Sequence, residues 1–232
     1  MRASRMDVFS RKVLSPLIVL MLGFSACGGG GGGSAEGGDD DGSSSSSGVR
    51  VLHAAIDGSP MDVLSSGSAS VVVDGAVFAG TNGYKELPGG SQIISLTRTS
   101  TPSRVIGSFD VMGGGSYSIL LYGSNQTTGL EAALLTDTVP DLGEGALVRV
   151  VHGSLGVSQL SVSVGGASTS VAFGKASEYL NVPVGSTTMT ARGTDSGSIG
   201  SLSFTAETGR AYTLLVAGEV GYYVTTRLFT DR

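Results

Sequence analysis

Beyond residue 48 the chain alternates between short apolar runs and short polar ones. Stretches rich in Val, Ile, Leu, Thr and Tyr are bounded by clusters of Gly, Pro, Asn, Asp and Ser. After the N-terminal segment no window keeps apolar residues at a spacing of 3.6, so helices are not expected. The runs predict strands over 49–53, 61–64, 70–73, 83–87, 91–98, 104–111, 116–122 and 130–136. They continue over 147–152, 159–164, 168–173, 178–182, 186–192, 199–205, 211–217 and 223–230. Strands this short and this frequent predict an all-β fold of antiparallel, immunoglobulin-like β-sandwiches. Leu87-Pro88-Gly89 has the residues of a type II turn, with Gly89 as its left-handed member.

The strand pattern is written twice. Val49-Arg50-Val51-Leu52-His53-Ala54 returns as Val148-Arg149-Val150-Val151-His152-Gly153, ninety-nine positions on. Tyr84 to Ser91 returns as Tyr179 to Ser186, and Gly114 to Leu120 as Gly209 to Leu215, both ninety-five positions on. Leu134-Leu135-Thr136-Asp137 matches Leu228-Phe229-Thr230-Asp231. The change of offset puts four extra residues in the first copy, in the Ser/Gly stretch 65–70, where a loop absorbs them at little entropic cost. The reading is repeat 1 over 49–138, a linker over 139–145 and repeat 2 over 146–232. Tyr117 and Tyr212 each open a strand after a Gly-containing turn. This resembles the tyrosine corner, whose hydroxyl bonds back to the upstream backbone.

The repeated residues carry a family resemblance. Arg149 to Ser154, Leu160 to Gly166, Val171 to Gly174 and Tyr179 to Gly185 are similar to the bacterial domain of unknown function 4397. That family has an RVVHASPDAP-like opening, a VDVYVDG-like strand, a YLPVPAG-like turn and a GKAYTV-like strand. Repeat 1 matches through His53-Ala54-Ala55, Pro60 to Val63 and Tyr84 to Gly90; repeat 2 has Ser161 where repeat 1 keeps Asp62. The resemblance implies a β-sandwich in an exported bacterial protein and brings no activity with it.

The first residues have a different character. Arg2, Arg5, Arg11 and Lys12 precede twelve mostly apolar residues, Val13 to Phe24. That run is shorter than the ~20 residues needed to cross a bilayer and fits a secretory signal. Phe24-Ser25-Ala26-Cys27 resembles a bacterial lipobox. The resemblance implies that residues 1–26 are a signal peptide and that Cys27 becomes an acylated N-terminus anchored in the membrane. Gly28, in place of the Asp that favours inner-membrane retention, points to the outer membrane. Residues 28–48 hold no hydrophobe larger than Ala35 and read as a flexible tether.

Composition narrows the chemistry. The only Cys is the predicted acylation site, so no internal disulfide and no Cys-based zinc or iron–sulfur centre is expected. Two His do not make a three-His metal site, and no cofactor is expected. A net charge of -5 argues against nucleic acid as a partner. No G-x-S-x-G, H-E-x-x-H or G-x-x-x-x-G-K-[ST] is present. His53 and His152 occupy equivalent positions, but the Asp62 that could pair with the first is Ser161 in the second copy, so both read as structural. Asp57, Asp62 and Asp74 read as turn residues. Tyr222-Tyr223 is the adjacent aromatic pair; alternation sends one ring inward and leaves the other as a possible binding group. The expectation is a lipid-anchored envelope protein acting as a non-enzymatic binding, adhesion or structural module on a protein or glycan partner. The alternative is a glycan-processing hydrolase.

Overall fold

Strand-forming sequence becomes strand almost everywhere. The computed structural model describes residues 47–68, 70–194 and 196–231; the signal-like segment, Cys27 and the tether before residue 47 lie outside them. Repeat 1 contributes β1 (Gly48–His53), β2 (Met61–Ser65), β3 (Val71–Ala76), β4 (Ser91–Arg98), β5 (Thr101–Met112), β6 (Ser116–Ser124) and β7 (Gly129–Thr136). Repeat 2 contributes β8 (Ala146–Leu155), β9 (Gln159–Val164), β10 (Ala167–Ala172), β11 (Lys175–Ala176), β12 (Leu180–Val182), β13 (Gly185–Gly193), β14 (Gly197–Ala206), β15 (Ala211–Glu219) and β16 (Tyr223–Thr230). The described residues contain no helix.

Each repeat is a two-sheet sandwich. Repeat 1 has sheets β1-β6-β7 and β3-β2-β4-β5; repeat 2 has β8-β15-β16, with β11 and β12 on the other edge of β8, and β10-β9-β13-β14. The sheets are not purely antiparallel, as the sequence had suggested. β1 runs parallel to β6, and β8 parallel to β15. A parallel pair needs a long crossover, and here the whole of the second sheet serves as that crossover. The strand expected over 83–87 is also absent: that segment touches β1 only at the Val49–Lys85 bridge before Pro88 interrupts it. The turn that follows has its left-handed glycine at Gly90 (φ 86°), not at Gly89. Repeat 2 explains the shift. Its Gly185 (φ 110°) matches Gly90, whereas Val184 stands opposite Gly89 and cannot take that conformation cheaply.

Strands β1 and β8 are buried on both faces, which is why they read as nearly continuous apolar runs. Odd positions of β1 point into their own sandwich: Val49 and Val51 join Met61, Val63, Ile94, Leu96, Ile119 and Leu121. Even positions point at the other repeat: Leu52, Ala54 and Leu120 pack on Val151, Leu215 and Ala217. The described residues of both repeats lie in one compact unit. The result is four layers with three apolar interfaces between them, and the middle interface is the contact between repeats.

Candidate functional site

The densest polar constellation lies inside that middle interface. Arg50 on β1 and Arg149 on β8 hold equivalent positions between core-facing valines, so alternation turns both guanidiniums toward the opposite repeat. Each meets the terminal Asp of that repeat. Arg50 Nη2 is 2.6 Å from Asp231 Oδ1, and Arg149 Nη2 is 2.5 Å from Asp137 Oδ1. Each arginine also lies 3.9 Å from the Asp of its own repeat. All four side chains are at most 3 % exposed, and the four charges cancel.

Hydroxyls occupy the remaining hydrogen-bonding positions. Arg50 Nε donates to Ser118 Oγ (2.8 Å), and Arg149 Nε donates to its equivalent, Thr213 Oγ1 (2.9 Å). Ser118 donates to Asp137 and Thr213 to Asp231, both at 2.6 Å. Tyr84 donates to Asp137 (2.6 Å) and Tyr179 to Asp231 (2.7 Å). Arg50 lies over the Tyr84 ring at 4.5 Å and Arg149 over Tyr179 at 5.2 Å. Burial, with the adjacent aspartates, pushes both phenols far above the usual tyrosine range. Burial disfavours charge on Arg149, yet the attraction of Asp137, Tyr179 and Asp231 outweighs it and raises its pKa. The constellation is obeyed by both copies and by neither alone. A sealed, neutral and fully bonded group of this kind orients two surfaces; it offers no proton or nucleophile to a substrate.

The histidines form a second symmetric pair. His152 Nε2 bonds the Val157 carbonyl (3.0 Å), and its Nδ1 accepts from Ser154 N (3.3 Å), which fixes a neutral tautomer. Burial lowers its pKa to about 4 against that carbonyl bond. His53 Nε2 bonds the Ser59 carbonyl (3.2 Å), and burial lowers its pKa too. Each ring stacks edge-on against a phenylalanine of its own repeat, which in turn meets a tyrosine of the other: His53–Phe78–Tyr223 and His152–Phe173–Tyr122.

The remaining predicted residues are also placed. Tyr117 Oη accepts from Met112 N (3.2 Å) and Tyr212 Oη from Glu207 N (3.1 Å), each reaching five residues upstream. Asp57 accepts from Ser124 Oγ, Asn125 N and Gln126 N, so it clamps the β6–β7 hairpin. Although burial opposes it, this set of bonds holds the Asp57 carboxyl below its ordinary value. Asp62 is buried and accepts from Gly75 N and Thr99 Oγ1. Tyr222 and Tyr223 are not divided between core and solvent: they are 80 % and 50 % exposed. Tyr222 belongs to the β15–β16 turn, so alternation begins only at Tyr223. No group of three or more metal-ligating side chains occurs among the described residues.

A model of the family described as Domain of unknown function (DUF4397) matches residues 47–163 and again residues 146–232. The chain belongs to this family. The two DUF4397 matches overlap across β8 and β9, the strands that restate β1 and β2. No curated protein matches the chain significantly.

In the sequence the Arg50/Arg149 and Asp137/Asp231 segments mark the repeat, and nothing local to either gives them a joint role. The usable signal was there: two arginines inside apolar strands, and two aspartates closing the copies, kept in both.

Proposed function

We propose that this DUF4397 chain is a lipid-anchored cell-envelope protein whose two repeats act as one rigid, non-enzymatic binding or structural body. One observation carries the reading. Both histidines and the three buried acids, Asp62, Asp137 and Asp231, are held by bonds within the fold and are not open to a substrate. Anchoring at Cys27 follows from the lipobox-like run, and the outer membrane is the favoured location because Gly28 follows it. Cells grown with labelled palmitate should mark the chain, and Cys27→Ser should abolish the mark; a label that survives overturns the anchor. Envelope glycans incubated with the chain should release no new reducing ends. Turnover would instead support the glycan hydrolase.

A further inference from the structure

We propose that the outer face of repeat 2, centred on Arg192, binds carboxylate groups of an acidic polysaccharide. The four strands of that sheet, β10, β9, β13 and β14, contain no Asp or Glu and a single charge, Arg192, in a chain of net charge -5. Alternation sends Ser161, Ser163, Thr188, Thr190 and Arg192 outward and Leu160, Val162, Val164, Met189 and Ala191 inward. Ser161, Ser163, Ser168, Thr169, Thr190 and Arg192 line an open depression on this face. Register places Arg192 opposite Ser161, and Ser163 between Thr190 and Ser168. Strand spacing and the two-residue rise put these hydroxyls ~5 and ~7 Å apart, close enough for one sugar residue to bridge two. Among the described residues Arg192 has no carboxylate partner. An exposed guanidinium ringed by hydroxyls presents a planar fork to a carboxylate and neutral donors and acceptors to the hydroxyls around it.

Repeat 1 supplies the internal comparison. Asp62 and Thr97 stand at the places of Ser161 and Arg192 and face each other in the same way. There the acid is closed off by Gly75 N (2.9 Å) and Thr99 Oγ1 (2.6 Å), and Thr97 is 1 % exposed. The two copies keep the same docking centre and differ on this face: a sealed acid in one, an open cation in the other. The assignment deepens the binding reading above and is independent of the lipid anchor.

Affinity electrophoresis of the full chain through gels containing alginate, a uronate polymer, or dextran, a neutral one, tests it. Alginate should retard the chain and dextran should not, and added salt should weaken the retardation. Because the chain is acidic, general electrostatics oppose binding to a polyanion, so retardation reports a local site. Arg192→Gln and Ser161→Asp should each weaken alginate binding about tenfold, the scale of one charge-assisted hydrogen bond. Urea midpoints equal to the parent's confirm that both variants fold. No retardation by alginate, or retardation unchanged in Arg192→Gln, overturns the site. Equal retardation by dextran overturns the carboxylate assignment while leaving a non-enzymatic glycan binder standing.

Discussion

Ala54 and Gly153 hold the same place in their two repeats and face each other across the interface. A Cβ on Gly153 would lie 2.2 Å from the Ala54 Cβ. The contact has room for one methyl group. Gly153→Ala should push the inner sheets apart and lower stability by about 2 kcal/mol, the usual scale of overpacking. The double change Ala54→Gly with Gly153→Ala moves the methyl to the other side and should recover most of the loss. Urea unfolding of the three variants checks this.

Removing one member of the buried ion quartet leaves an uncompensated charge. Arg50→Met should destabilise by about 3–5 kcal/mol, because Asp231 then stays buried without its closest cation. Arg50→Met with Asp231→Leu should be less damaging than the sum of the single changes. A double-mutant cycle in urea reads the coupling, and additivity would show that the pair does not act as a unit.

Ala79 holds a left-handed backbone (φ 56°) where repeat 2 has Gly174 (φ 72°), and both N–H groups bond the carbonyl of their repeat's histidine. For a residue with a Cβ this conformation costs ~1–2 kcal/mol. Ala79→Gly should therefore raise stability by up to about 1 kcal/mol, read as a higher urea midpoint, once the added freedom of the unfolded chain is set against the relief. The reverse change, Gly174→Ala, should lower stability, since it puts a Cβ on a left-handed backbone and 2.7 Å from the Tyr122 ring.

Acidification should weaken the fold before the carboxylates titrate. His152 has its pKa lowered from 6.5 to about 4 by burial, so the unfolded chain binds more protons between those values. Stability from this group is fully present above pH 6.5 and is lost as pH falls toward 4, by about 3 kcal/mol in all. His53 shifts in the same direction and adds to the loss. Thermal midpoints measured from pH 7.5 to 4.5 should fall, and His53→Gln with His152→Gln should flatten the slope.

Tyr212→Phe should lower stability by up to about 1 kcal/mol through loss of the bond to Glu207 N. An unchanged denaturation midpoint would mean that water takes the hydroxyl's place without penalty.

Strand positions were legible because period-two alternation and turn residues are local signals. The repeat was legible because both copies kept the same anchors. What stayed hidden depended on the second face of β1 and β8. Arg50 reads as an odd charge in an apolar strand until Asp231 is brought to it from the far end of the chain. The segment 83–87 has Tyr84 and Leu87 but also Gly83, Lys85 and Glu86, and it meets β1 at only one bridge. Alternation does not divide Tyr222 from Tyr223, because Tyr222 lies in the turn before the strand that opens at Tyr223. Arg192 and Ser161 needed the register between β9 and β13, which neither strand states alone.

The ion pair between Arg50 and Asp231 joins the first strand to the residue after the last one. Chain ends are where folded domains ordinarily fray and where proteases first find purchase. Here the first and last strands of the two-repeat body are fastened to each other inside it, like the two halves of a clasp. Neither of these strands can peel away without also parting the repeats, so within residues 48–231 limited proteolysis should begin in exposed turns such as 125–129.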